Sequence, residues 1–421
     1  MTPWKNQHSE PRQIPAKAGA IWGERKILLG IVALAVVLRV AMAFVYPFEF
    51  PDSKDYDALA RAIVEQRDYQ VDGLYATRMP GYPIFIAAIY MVCGYSIKAV
   101  LIVQAFLGGA IVYLVHRLAR RVVGAPDSLP LIAAALAAVD PLSIAFSASL
   151  LTETPFTLCL VGGIYLCVKL MDRPRLGWWV AISAIWAVAV ELRASLYWCI
   201  VPLAVVLMVM ARTWRDRLIH VAGLGIVLLI LFVSLLPWER RNDGLFAPAR
   251  VHFTTLEGIS LYEAVYPGAT GGPKQDVLVL PAEMEPLNEA QRNAEWSRRA
   301  WECVRNDPAR VAALAVRKVA RMWSPVLNAA EFQNVLLQIA LAAWHIPLFV
   351  AAIVGLIGLV LPMRWKILLL VPMVYFSAIH AIFLGSVRYR VPLTPFLCIF
   401  AAAGIVRVIQ YTNQRKRLWE V

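Results

Sequence analysis

Residues 27–56 read ILLGIVALAVVLRVAMAFVYPFEFPDSKDY: a nearly unbroken apolar run from 27 to 45, then a turn-rich stretch that carries Asp52 and Asp55. At 1.5 Å of rise per residue, a helix over 27–45 crosses a hydrocarbon layer of about 30 Å. The two carboxylates therefore stand where the chain leaves the layer. Lys5, Arg12, Lys17, Arg25 and Lys26 precede the run, and a positive-inside bias puts that leader in the cytoplasm and the acids on the opposite face. The leader is long and no small-residue cleavage pattern follows, so the run reads as a retained anchor rather than an export signal.

The rest of the chain repeats this alternation. Of 421 residues, 60% are hydrophobic and 16% charged, with a mean hydropathy of +0.62, which excludes an ordinary soluble protein of this size. Further spans are expected at 97–115, 129–150, 154–170, 177–190, 195–211, 218–236, 335–361, 367–384 and 391–409. The expected cytoplasmic links carry the basic residues, as in HRLARR (116–121), MDRPR (171–175), RTWRDR (212–217), MRWK (363–366) and the tail QRKR (414–417). This dispersal accounts for the formal charge of +13 without nucleic-acid binding. The expectation is an all-α polytopic membrane protein of about ten transmembrane helices, one domain over 1–421, with both termini cytoplasmic.

Two segments face outward on this topology. The first, 46–96, includes an apolar stretch at 83–95 too short to cross and expected to form an interfacial or re-entrant helix. The second, 238–333, is long enough for several surface helices and forms a cap. Within it, residues 308–323 place Arg310, Arg317 and Arg321 along one helical side and Ala312, Val316, Val319 and Trp323 along the other. That pattern suits a membrane-surface helix with a basic face open to phosphate; an ordinary solvated face fits it as well.

Asp52, Asp55, Arg78, Glu153, Glu191, Arg193, Arg388 and Arg390 all map to the outward end. Asp52 reads either as a proton acceptor at the membrane–water boundary or as an N-cap. Arg388 and Arg390 can hold a phosphate or phosphodiester, or anchor lipid headgroups. Arg78 and Arg193 are candidates for the same anionic pocket. In RMPGYP (78–83), Gly81 either lets backbone approach a substrate or turns the chain. Paired acids could hold a divalent cation through oxygen ligands. The six cysteines form no close pair and read as small hydrophobes; the six histidines stand singly, with packing as their default role. Neither GxxxxGK[ST] nor a Rossmann GxGxxG unit occurs, which disfavours direct ATP or NAD chemistry.

The acid after the first span, RMPGYP, the LTE turn at 151–153, the large segment after the seventh span and RYRVPLTP (388–395) together resemble the polytopic GT-C glycosyltransferases. The likeness is to the bacterial branch related to protein O-mannosyltransferases and the lipid A aminoarabinose transferase. It implies a GT-C-like bundle with a periplasmic active site, in the bacterial cytoplasmic (inner) membrane. It implies transfer of a sugar from a polyprenyl-phosphate donor to a lipid, glycan or, less readily, protein acceptor, by inverting displacement. The family's Asp with Tyr four positions later falls on Asp52 and Tyr56. Ser53 stands where an adjacent Glu is commoner, which leaves the division of labour between Asp52 and Asp55 open. The resemblance gives Arg388 and Arg390 the donor phosphate, and position adds Arg78 and Arg193 to the same pocket. It puts Tyr56, Tyr82, Glu153, Glu191 and Tyr389 in the substrate pocket, and makes Asp55 and Glu153 the candidate ligands of a divalent cation. A secondary transporter and a lipid-binding membrane scaffold are the rival readings; a transporter would place ionisable groups near the membrane centre.

Overall fold

The computed structural model describes residues 18–45, 50–123, 128–273, 279–328 and 334–419. Lys5, Arg12, Lys17 and the start of the first outward segment lie outside them. Described residues form sixteen α-helices joined by loops and short 3-10 turns. Helix α1 (Ala18–Val45) is the first span, and α2 (Pro51–Val64) and α3 (Gly81–Cys93) build the segment after it. Then follow α4 (Ile97–Val122), α5 (Ser128–Val139), α6 (Pro141–Ser147), α7 (Glu153–Asp172), α8 (Leu176–Leu192), α9 (Ile200–Val209) and α10 (Trp214–Phe246). The large loop folds into α11 (Glu257–Val265), α12 (Glu289–Asn306) and α13 (Pro308–Met322), and the chain closes with α14 (Val335–Ile357), α15 (Met363–Ile382) and α16 (Thr394–Trp419).

Seven helices of the described residues are long and apolar enough to cross a membrane, and the bent pair α5–α6 makes an eighth. The remaining two expected spans are short: α8 has 17 residues, and residues 194–209 divide into a 3-10 turn and the ten-residue α9. Helix α3, at 13 residues, is too short to cross, as expected.

The starts of these helices follow local chemistry. Pro51 opens α2 at a position where its missing N–H costs nothing. Ser96, Asp140, Thr213, Asn288, Asp307 and Asn334 accept hydrogen bonds from the first-turn amides of α4, α6, α10, α12, α13 and α14. Helices α14 and α16 cross at Gly355 and Gly404, where a Cβ on Gly404 would lie 1.9 Å from the carbonyl oxygen of Ala351. Small residues let two backbones touch there, in an environment where apolar surface alone gives helices no reason to associate.

Ionisable groups do lie inside the bundle. Helices α5 and α6 meet at 52°; at the break, buried Arg39 of α1 donates to the carbonyls of Ala137 (3.3 Å) and Ala138 (3.1 Å). Asp140 accepts from the Ser143 amide at 2.8 Å and from Trp344 Nε1 at 3.2 Å. Each answers a group that the break leaves without a helical partner. The sequence reading had passed over all of them.

The basic helix of the large loop keeps its expected orientation only in part: Arg317 is exposed and Val319 and Trp323 are half-buried, but Arg310 and Arg321 are turned to the protein. Arg310 of α13 donates to the carbonyls of Val265 and Tyr266, and Arg321 to that of Asn328. Ala312 and Val316 are exposed instead. Arg310 and Arg321 serve carbonyls where the chain turns, so they are not presented for phosphate. Lys318, on the same helix, is fully buried and donates to the carbonyls of Ala381 (3.3 Å) and Ile382 (2.7 Å) at the end of α15.

Candidate active site

Five side chains from five separate stretches meet at one end of the bundle in an alternating chain of charge. Asp52 stands in the first turn of α2, Arg78 in the irregular segment before α3, Glu153 at the start of α7, Arg193 just past α8 and Arg388 in the 3-10 turn 387–393. Arg78 donates to Asp52 Oδ1 at 2.6 Å and Arg388 to Asp52 Oδ2 at 2.6 Å. Arg388 Nε also donates to Glu153 Oε1 at 2.5 Å, and Arg193 Nη2 reaches the same oxygen at 2.7 Å. Asp55 joins from one turn further along α2, accepting from Arg78 at 2.9 and 3.2 Å. Three guanidinium groups thus balance three carboxylates. Each guanidinium carries five N–H donors, so donor capacity remains after these bonds.

The electrostatics follow from this arrangement. Burial opposes ionisation of Asp52, but Arg388 and Arg78 outweigh it and hold the carboxyl below its usual range. Burial likewise works against the charge on Arg78, and Asp52, Asp55 and Tyr56 more than restore it, so its pKa is raised. Asp52 is not the N-cap of α2: Phe50 holds that position, and Asp52 lies in the first turn with both its oxygens bonded to arginines. Ser53 instead accepts from the Phe50 amide at 3.3 Å.

The chain borders a cavity of about 440 Å³. Asp52, Tyr56, Arg78, Arg193, Arg388 and Tyr389 line it. The arginines lie over aromatic faces, Arg78 on Tyr56 at 5.5 Å and Arg193 on Tyr389 at 5.7 Å. Glu153 is fully buried behind the wall, and its Oε2 has no hydrogen-bond partner among the described residues.

Three predicted residues, Arg390, Tyr82 and Glu191, stand apart from this chain of charge, and Asp55 and Glu153 belong to it without lining the cavity. Arg390 is buried and donates to the carbonyls of Ser324 (2.5 Å) and Met322 (3.4 Å), with Phe349 under its guanidinium. Two steps along a 3-10 turn rotate a side chain by about 240°, away from the direction of Arg388. Tyr82 sits behind Tyr56, edge to face at 4.8 Å, and donates to Gln104 at 2.7 Å. Glu191 is not on the cavity wall: it is still within α8, whereas Arg193 lies just past the helix end in extended backbone that turns its side chain to the cavity. Asp55 contacts Arg78 but does not line the cavity. Gly81 receives the Glu191 backbone rather than a substrate, since a Cβ there would lie 2.6 Å from the Glu191 carbonyl.

Other wall residues escaped the sequence reading. His380 stacks on Tyr389 with ring centres 3.9 Å apart and planes 8° from parallel, and its Nδ1 lies 3.0 Å from the Leu384 carbonyl. Trp198 and Tyr375 add aromatic surface, and Glu257 adds a carboxylate from the large loop. Burial raises the Glu257 carboxyl, against the Thr254 amide and His252. The Trp198 and Tyr375 rings lay inside apolar runs and the acid inside an unpatterned loop, so spacing carried no signal for them.

Asp55 and Glu153 do not form a metal ligand set: among the described residues no three His, Cys, Asp or Glu side chains cluster so as to hold an ion. Each is engaged by arginine instead.

The oligosaccharyltransferase AglB of Archaeoglobus fulgidus, in complex with an inhibitory peptide and a dolichol-phosphate, superposes with a TM-score of 0.60 over 96% of this chain and 52% of its own, at 11% identity. The protein has the GT-C glycosyltransferase fold. A second structure of the A. fulgidus oligosaccharyltransferase, a complex with Zn and sulfate, gives the same GT-C match at a TM-score of 0.57 and 13% identity, covering 92% of this chain and 50% of the other. The chain thus spans about half the length of the two oligosaccharyltransferase chains it matches. ArnT of Cupriavidus metallidurans bound to undecaprenyl phosphate aligns over 92% of this chain and 78% of its own, with 13% identity and a TM-score of 0.40. In sequence, residues 77–238 match the family model for dolichyl-phosphate-mannose-protein mannosyltransferase, a range that includes Arg78, Glu153 and Arg193. No curated protein matches the chain.

Proposed function

We propose that the protein is a membrane glycosyltransferase that moves a sugar from a polyprenyl-phosphate donor to a lipid or glycan acceptor, a protein acceptor fitting less well. The observation that carries this reading is the cavity edged by Arg78, Arg193 and Arg388 with Asp52 between two of them. A phosphate and a hydroxyl can be handled side by side in such a cavity. Support for the donor class comes from the family match over 77–238 and from the dolichol-phosphate and undecaprenyl phosphate of the two similar structures.

The donor phosphodiester would take guanidinium bonds that the acids hold in the free protein. As the acceptor oxygen attacks the anomeric carbon, the bond from that carbon to the phosphate oxygen breaks. Polyprenyl phosphate leaves with one more negative charge than the diester carried, and the arginines stabilise that charge. The acceptor proton passes to Asp52. A carboxylate held by two arginines is a weak base; withdrawal of Arg388 toward the phosphate strengthens it, so donor binding prepares the proton acceptor. One displacement inverts the anomeric configuration. Asp55 keeps Arg78 aligned, and Tyr56 and Tyr389 form aromatic surface beside the sugar. No step is routed through a metal ion.

Placement in the bacterial cytoplasmic membrane, with both termini inside and the cavity on the outer, periplasmic face, is supported by where the cations fall. Arg121 bonds Asp172 at 2.8 Å at the far end of the twenty-residue α7 from Glu153, about 30 Å away. Arg117, Arg120, Arg173 and Arg175 stand near it in sequence, at the end the positive-inside bias assigns to the cytoplasm. Surrounding membrane lipids cover the apolar outer face of the helices. The buried Arg39 and Asp140 bear on a transporter reading, but their bonds answer a helix break beside a cavity of only about 20 Å³.

Purified protein in liposomes, given a labelled polyprenyl-phosphate sugar and extracted membrane lipid and glycan acceptors, tests this by release of polyprenyl phosphate. Transfer by wild type, lost in Asp52→Asn and in Arg388→Ala, is the expected result. Full transfer by both folded variants would sink it.

A further inference from the structure

The cavity has two walls that belong to different loops. Arg78 stands on residues 75–79, between α2 and α3, and Phe253–Ser260 come from the large loop. Neither Tyr75–Met79 nor the approach to α11 has regular backbone pairing, so individual bonds, most of them from side chains, set where they lie. Tyr69 donates its hydroxyl to the carbonyls of Arg78 (3.2 Å) and Met79 (3.3 Å), and Arg241 donates to those of Tyr75 (3.0 Å) and Tyr69 (2.8 Å).

One carboxylate binds both walls. Glu289 Oε2 accepts from the Tyr75 amide at 2.6 Å, and its Oε1 accepts from the Ala76 amide at 3.0 Å and from the Thr255 hydroxyl. Alongside, the Thr255 amide donates to the Ala76 carbonyl at 2.9 Å. Glu289 does not line the cavity. Nor does it serve its own helix: the start of α12 is closed by Asn288 and Gln291, which exchange bonds at 2.9 and 3.0 Å. Its three bonds all go to the stretches that carry Arg78 and Glu257: Ala76 and Tyr75 are two and three residues from Arg78, and Thr255 is two from Glu257.

We propose that Glu289 is a positioning residue, a carboxylate clamp that holds the Arg78 wall in register with the Phe253–Ser260 wall and so sets the aim of Arg78 into the donor-phosphate site. The effect on the donor rests on the functional reading above; the clamp itself does not. An ionised carboxylate suits the task because it accepts three bonds and donates none. A glutamine keeps one acceptor oxygen but turns an amide donor toward the remaining N–H or O–H groups. The two substitutions should therefore differ in degree.

The test pairs amide hydrogen exchange with binding of undecaprenyl phosphate, on the full-length protein in detergent. In Glu289→Ala, exchange at the Tyr75 and Ala76 amides is expected to speed up by about tenfold or more, with the spans unchanged. Undecaprenyl phosphate should bind about tenfold more weakly. Glu289→Gln should fall between wild type and alanine in both readouts, which also keeps the test available if the alanine variant fails to fold. Glu283→Ala, which removes an acid bonded to Arg299 on the same loop, should match wild type. Unchanged exchange at Tyr75 and Ala76 would overturn the clamp, and faster exchange with unaltered binding would overturn its role in aiming Arg78. If wild type binds no polyprenyl phosphate, the functional reading fails and exchange still decides the clamp.

Discussion

Arg388 Nη1 donates to Asp52 Oδ2 over 2.6 Å, joining residues 336 positions apart in sequence. The same guanidinium holds Glu153 through Nε, so one side chain from the end of the chain ties the first outward helix to α7. Arg388→Lys should show what that geometry contributes. A single ammonium cannot reproduce the planar fork, and transfer should fall by about a hundredfold or more in kcat/KM if transition-state charge stabilisation is lost.

Arg390 provides the contrast. It bonds only backbone carbonyls at the end of α13, so Arg390→Ala should lower the melting temperature by leaving those carbonyls unpaired, a cost of about 1–3 kcal/mol. The KM for donor should stay within about twofold of wild type, given that Arg390 touches no cavity residue's charge. A large rise in KM with an unchanged melting temperature would restore it to the phosphate site.

Acid should act through Asp52. Its pKa is depressed in the folded protein, so the stability it contributes is present above the ordinary carboxylate value of about 3.9 and is lost as pH falls through the lower folded value. Thermal melts of wild type and Asp52→Asn should differ least at the acid end and most near neutrality. A constant difference from neutrality to strong acid would show that the arginines do not hold the folded carboxyl ionised.

Alkali should act through Lys318, where burial lowers the pKa to about 8. The unfolded chain, with lysine near 10.4, then binds more protons between those values, and the Lys318 contribution to stability rises with pH across that window. In Lys318→Met the corresponding slope should disappear, which melts at about pH 7.5 and 10 would read. A parallel slope in both proteins would place the ammonium in water.

The α14–α16 crossing should tolerate almost nothing. Gly404→Ala puts a methyl 1.9 Å from the Ala351 carbonyl, so the helices must separate. Overpacking of that kind costs about 1–3 kcal/mol. Gly225→Ala, at a glycine with nothing within 4 Å, is the control and should be neutral or slightly stabilising.

Much of the fold was open to a reader of the sequence, because a span announces itself by length and apolar content alone. The tenfold count was weaker at Leu176–Leu192 and at Ala194–Val209, where apolar content is high but the helices are short. The site was legible as a set: Asp52, Glu153, Arg193 and Arg388 stand beside expected span ends, Arg78 stands within the first outward segment, and the five side chains meet. Its individual members were less so. Arg390 and Glu191 share a span end with Arg388 and Arg193 but point elsewhere, since a side chain's direction turns by 100° or more per residue while sequence position barely changes. Glu257 and Glu289 are the first residues of α11 and α12, where the helical period does not reveal that either turns back toward another stretch of chain.

What the amino-acid order determined by itself is the membrane class, the approximate spans and the end of the bundle at which the charged residues gather. Those follow from transfer free energy, which depends on composition over some twenty residues. Only the tertiary structure decided which charges pair, that Arg388 bridges Asp52 and Glu153, that α13 turns two of its arginines to carbonyls, and that Glu289 joins two walls. Those depend on hydrogen bonds whose partners lie within about 3 Å in space and, in the sequence, tens to hundreds of residues apart.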